Sequence, residues 1–143
     1  MSFTVVPIGH VSKVEETIKI VIDDEFSAGL THVELFSHVI ILWWIDRRDN
    51  RADRTTLLTN PPRNKGLTPS GVFACRSPSR PNPIGHTIAA VLRVDHDAGE
   101  VYLDHMDADD GTPVLDIEPY MPSSDCVSDA RVAPWFETLQ RRY

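Results

Sequence analysis

Two stretches of the chain concentrate the residue types that do chemistry. The first runs Gly71-Val72-Phe73-Ala74-Cys75-Arg76-Ser77-Pro78-Ser79-Arg80-Pro81-Asn82-Pro83-Ile84-Gly85-His86-Thr87. The second runs Asp107-Ala108-Asp109-Asp110-Gly111-Thr112-Pro113-Val114-Leu115-Asp116-Ile117-Glu118-Pro119-Tyr120-Met121-Pro122. A guanidinium such as that of Arg76 can hold a carboxylate through two parallel charge-assisted bonds. A carboxylate such as that of Asp107 can face a cation or accept a proton. Structural roles compete with these. Arg76 can pair with Asp110 or Asp116 and tie two loops together, and Asn82 can bond its own backbone in a turn between prolines.

Generic signatures are absent. No Gly-x-Gly-x-x-Gly follows a strand candidate, so a Rossmann nucleotide site has no support, and neither a Gly-x-Ser-x-Gly elbow nor a Walker loop occurs. The acidic run Asp104, Asp107, Asp109, Asp110 ends in Gly111. A calcium loop starting at Asp107 needs that glycine one position later, so an acidic turn is expected. The six histidines contain no pair at zinc spacing. Cys75 and Cys126 match no metal spacing, and both are expected reduced in a cytoplasmic protein.

Net charge is −7, which disfavours a polyanionic partner. The distribution is uneven. Arg47, Arg48, Arg51, Arg54, Arg63, Lys65, Arg76 and Arg80 against Asp49 and Asp53 give +6 across 34 residues, leaving −13 elsewhere. Such a segment either steers a polyanion into one orientation or is an Arg-rich loop balanced by acidic neighbours.

These residues need elements to position them. At 143 residues the chain is expected to form one domain over 1–143. The longest apolar run, 39–45, is seven residues, far below the roughly 20 of a membrane helix. The start lacks a basic cluster leading into an apolar stretch, so no signal peptide is expected. Strands are expected at 3–8, 17–22 and 39–45, the last buried on both faces, with a short helix at 30–36. Residues 46–70 read as a long loop. Further strands are expected at 71–74, 88–94, 100–103 and 114–117, with a hairpin turn at Asp97-Ala98-Gly99 and a helix over 133–139. Pro78, Pro81 and Pro83 exclude a regular element between them. Many short strands with proline-rich turns point to a mainly-β fold: a compact barrel with short helices.

The two long stretches resemble the signature segments of the TrmO family, the S-adenosylmethionine-dependent methyltransferases of threonylcarbamoyladenosine in tRNA. Pro7-Ile8-Gly9 is similar to that family's first strand, and Leu35-Phe36-Ser37-His38-Val39-Ile40-Ile41-Leu42-Trp43-Trp44 to its Ser-His strand. The resemblance implies a β-barrel unlike the Rossmann-type methyltransferases, in a homodimer with its cofactor near the subunit junction. It implies cofactor contacts at Asp46, Arg47, Arg76, His86, Asp104, His105, Met106 and Asp107. Proton acceptors for the methylated nitrogen are then sought among Asp107, Asp110 and His38, and substrate contacts among Arg80, Asn82, Arg48, Arg51 and Arg54; no metal is required. Trp43 and Trp44 either stack on a base or enter the core, since strand alternation sends one of them inward.

The chain departs from the family pattern in three ways. Only residues 11–16 connect its first two strands, where fuller members carry a longer segment. Ile45-Asp46 stands where many members have Phe-His, and no counterpart of the longer members' C-terminal domain is expected. Three functions follow: methylation of the tRNA nucleoside, methylation of a small molecule on the same fold, or binding of S-adenosylmethionine without turnover.

Overall fold

The computed structural model describes residues 1–60 and 69–136. Six antiparallel strands close into a barrel in the order β1-β2-β7-β6-β3-β8. They are β1 (Gly9–Val14), β2 (Thr17–Ile22), β3 (His38–Trp44), β6 (Ile84–Asp95), β7 (Glu100–Leu103) and β8 (Pro113–Pro119). A separate ribbon pairs β4 (Leu58–Thr59) with β5 (Ser70–Gly71). Two single-turn helices complete the set, α1 (Arg51–Arg54) and α2 (Pro122–Asp125). The expected mainly-β barrel is the fold.

Alternation explains the closure. Val11, Ile20, Val39, Ile41, Ala89, Val101 and Val114 point inward, each at most 1% exposed, and form one core. Their neighbours in sequence face outward, which is the period-2 pattern of a sheet with one dry face. β3 follows this pattern and is not buried on both faces. Val39 and Ile41 are sealed, while Ile40, Leu42 and Trp44 are half-buried on the outside.

Several boundaries differ from expectation. The first strand is Gly9–Val14, not 3–8, where Phe3, Val5 and Val6 are exposed. Residues 11–16 are therefore no connector: they are most of β1 plus a two-residue turn, with Glu15 at φ 56 and Val14 opposite Thr17. Apolar content drew the expectation to 3–8, but burial of Gly9 and Val11 on alternate positions determined the pairing. The helix expected at 30–36 is replaced by 3-10 turns at Asp24–Leu30 and Val33–Leu35, separated by His32 at φ 73. The long loop is partly ordered by α1 and β4. After β5, residues Val72–Ala74 form a 3-10 turn, not a strand. β6 begins directly after Pro83 and is 12 residues long, so the 88–94 segment is its second half. At the C-terminus a 3-10 turn spans Pro134–Phe136; the rest of the expected helix lies outside the described residues.

Candidate functional site

Three segments meet at the barrel end where β3 finishes and β6 starts. The first is the turn after β3. Asp46–Arg48 form a 3-10 turn and Asn50 caps α1, its side chain accepting from the amide of Asp53 at 2.9 Å. The second is the proline-rich segment leading into β6, joined to the first by Ile45 N–H donating to the carbonyl of Pro83 at 2.7 Å. The third follows β7. Residues 104–112 run back along β6 and cross to β1. The Asp104 N–H donates to the Ala90 carbonyl, and Gly111 N–H donates to that of Val11 at 2.8 Å. Met106 and Ala108 are buried, so the exposed carboxylates between and beyond them are carried on a fixed backbone. Gly111, at φ 81, makes the turn onto β1.

Arg76, His86 and Asp107 come together here. Arg76 is exposed and makes no ion pair with Asp110, Asp116 or any other carboxylate among the described residues. Desolvation by its surroundings, and then the Arg76 charge, hold the His86 pKa below its ordinary value, against the pull of a backbone hydrogen bond and of Asp107. Asp107 Oδ2 accepts from the Thr87 hydroxyl at 2.8 Å, and Thr87 Oγ1 accepts from Trp43 Nε1 at 3.1 Å. Thr87 ends the first signature stretch without a role assigned from the sequence, and Trp43, weighed there between base stacking and the core, carries no sequence signal of this bond. Trp43 is the tryptophan that turns to the core, while Trp44 faces out, donating to Asp49 and lying under the Arg54 guanidinium.

The other candidates divide by role. Arg47 donates to Asp109 at 3.0 Å, and both side chains are well exposed, so this pair bridges the first and third segments. Asp46 is exposed beside it. Asp104 accepts from the Ala90 amide at 2.8 Å and from His105 Nδ1 at 2.9 Å. Burial raises its pKa, but the Ala90 and His105 bonds outweigh that and lower it overall. The Met106 carbonyl accepts from Lys13 Nζ at 2.6 Å. Asp110 accepts from the Lys13 amide at 2.7 Å, which places it in the tie to β1.

His38 sits at the opposite end of β3. It pairs with Ala90 while His86 pairs with Leu42, a separation of roughly 13 Å along the strand. Its ring bonds the Ser37 hydroxyl at 2.8 Å and meets Tyr120 edge-on. Asp107, Asp110 and His38 are thus not one cluster.

The arginines proposed to contact substrate are also unequal. Arg48 donates to Asp53 at 2.8 Å and to Ser79 at 2.7 Å, while Asp53 also accepts from Ser79 and Asn50. Together Arg48, Ser79 and Asn50 hold the Asp53 carboxyl far below the usual carboxylate range. Arg54 donates to Asp49 at 2.5 Å and to the Pro81 carbonyl at 3.1 Å. Arg80 donates to the carbonyls of Cys75 and Ser77, each at 3.2 Å. Arg48 and Arg54 lock the proline-rich segment to α1, while Arg80 ties that segment to itself. Arg51 is exposed with no ion pair among the described residues, and Asn82 is exposed with its carbonyl accepting from Ile84. Arg63 and Lys65 lie outside the described residues.

Among the described residues no group of three His, Cys, Asp or Glu is arranged to hold a metal, and no helix is long and apolar enough to cross a membrane.

The family model described as "tRNA-methyltransferase O N-terminal domain" matches residues 4–126. An S-adenosyl-L-methionine-binding protein of Archaeoglobus fulgidus is 43% identical over 77% of this chain and 73% of its own length. A second protein of that organism, described as a probable S-adenosyl-L-methionine-binding protein, is 43% identical over 90% of this chain, which spans 32% of it. A mouse protein, tRNA (adenine(37)-N6)-methyltransferase, is 44% identical over 68% of this chain and 21% of its own length. The crystal structure of TrmO from Pseudomonas aeruginosa superposes with a TM-score of 0.71 at 30% identity, covering 94% of this chain and 62% of that one.

Proposed function

The chain belongs to the tRNA-methyltransferase O family, and from that premise we propose that it is an S-adenosylmethionine-dependent methyltransferase acting on the nitrogen of threonylcarbamoyladenosine in tRNA. The observation that carries this is the convergence of the exposed Arg76 guanidinium with His86 and the carboxylate of Asp107 at one barrel end. S-adenosylmethionine bears one carboxylate beside an ammonium and a sulfonium. A site offering one arginine and several exposed carboxylates on rigid backbone is complementary to both signs. Arg76 would grip its carboxylate, and Asp107, with backbone groups of residues 104–107, would hold its cationic part and adenine.

When bound, the cofactor would supply the methyl group that its sulfonium activates for transfer to the acceptor nitrogen. The chain's work is alignment and exclusion of water. The three segments are cross-tied by Arg47–Asp109, Arg48–Asp53–Ser79 and Arg54–Pro81, so the donors are set before ligand arrives. The accepting nitrogen must lose a proton. Among Asp107, Asp110 and His38, Asp107 is the group whose charge, like that of Arg76, acts on His86, and we propose it as the acceptor, directly or through water. We propose the protein as a homodimer, as the resemblance implies, located in the cytoplasm.

A small-molecule acceptor is the alternative. It is favoured by the internal engagement of Arg48 and Arg54, which reduces the cationic surface open to RNA in a chain of net −7. Calorimetric titration with S-adenosylmethionine tests the shared premise. Binding is expected, and no heat at millimolar ligand would end both readings.

A further inference from the structure

The buried Thr87 hydroxyl lies between two groups that leave it one orientation. Trp43 Nε1 lies 3.1 Å from it and Asp107 Oδ2 lies 2.8 Å from it. An indole nitrogen only donates, so Thr87 accepts from Trp43 and its single proton points at the carboxylate. Two members of this hydrogen-bonded series are fixed. Thr87 is 2% exposed. The Trp43 indole lies flat over its cross-strand partner Gly85, where any Cβ would overlap the ring. The register of β3 against β8 also shifts between Leu42 and Trp43, the kind of irregularity that re-aims a side chain. The interior therefore reaches through a tryptophan and a threonine to a carboxylate at the exposed end of the barrel.

We propose that Thr87, oriented by Trp43, is a positioning residue that fixes the Asp107 carboxylate toward the cationic part of the ligand held by Arg76. It rests on the S-adenosylmethionine reading above. A methyl in place of the hydroxyl keeps the volume but removes the bond, and a hydrogen bond to a charged group is large enough to be read in affinity.

Calorimetric titration of the full chain with S-adenosylmethionine tests it, using the wild type, Thr87→Val, Thr87→Ser, Trp43→Phe, Asp107→Ala, and Asp107→Ala combined with Thr87→Val and with Trp43→Phe. Thr87→Val is expected to weaken binding about tenfold. Thr87→Ser keeps the hydroxyl and is expected to stay within about threefold of wild type. In the Asp107→Ala background, Thr87→Val is expected to have little further effect, since its partner is already gone. A merely structural threonine would weaken binding equally in both backgrounds, and that result, or wild-type affinity in Thr87→Val, overturns the proposal. If Thr87→Val fails to fold, Trp43→Phe in the two backgrounds reads the same coupling. A wild type that binds no S-adenosylmethionine overturns the functional reading and this one with it; a wild type that binds while Thr87→Val is unaffected overturns the positioning role alone.

Discussion

Arg76 and His86 are electrostatic neighbours, and each reports on the other. Removing the guanidinium takes away a charge that disfavours protonation of the imidazole. The His86 midpoint followed by NMR is expected below the ordinary histidine value in the wild type and higher in Arg76→Ala. An unchanged midpoint would separate the two residues. The same substitution is expected to weaken S-adenosylmethionine by at least about tenfold, because a bidentate contact to a carboxylate is charge-assisted on both bonds. Asp53 gives a different pH signature. Its carboxyl pKa is depressed in the folded chain by Arg48, Ser79 and Asn50. Its stabilising contribution is therefore complete above the unfolded carboxylate value and is lost as pH falls from there toward the folded one. Thermal unfolding of Asp53→Asn is expected to lie furthest below wild type near neutral pH, with the gap closing in acid. A gap that widens in acid would contradict the stabilising network of Arg48, Ser79 and Asn50 around Asp53.

At the scale of elements, the turn after β3, α1 and the proline-rich segment behave as one braced unit. Arg48 and Arg54 serve the brace, whereas Arg51 does not. Arg48→Ala is accordingly expected to lower the melting temperature. Arg51→Ala is expected to leave it unchanged and to flatten the dependence of log tRNA affinity on log salt by roughly 0.7 to 0.9. Filter binding at two salt concentrations, with a melting curve for each variant, decides both. An unaltered salt slope would remove Arg51 from RNA docking. This division was not legible in the sequence, where three arginines at 48, 51 and 54 look alike; only the folded positions of Asp49, Asp53, Ser79 and Pro81 distinguish them. The barrel was legible, because Thr17–Ile22 carries partial alternation, β3 a continuous apolar run of strand length, and the hairpin of β6 and β7 a glycine turn; the outward face of β3 was not. The first strand was not, because its inward positions are a glycine and a valine interleaved with His10 and Ser12, while the more apolar 3–8 segment stays outside the barrel. Arg76, His86 and Asp107 were named from their motifs, and their spatial agreement follows from Ile45 pairing with Pro83 and residues 104–107 running beside β6.

The charge is uneven along the sequence, +6 over residues 47–80 against −13 elsewhere, so docking of a polyanion is expected through that segment alone. Homodimer formation belongs to this scale. Light scattering is expected to give twice 16.1 kDa, and a monomer at tens of micromolar would contradict a cofactor site shared at a subunit junction. The proposed transfer of a methyl group to a modified tRNA nucleoside is tested by incubating the purified chain with S-adenosylmethionine and tRNA carrying threonylcarbamoyladenosine, followed by mass spectrometry of the digested nucleosides. The expected result is a threonylcarbamoyladenosine heavier by one methyl, formed with wild type and suppressed in Arg76→Ala; an unmodified nucleoside despite measurable cofactor binding would contradict it.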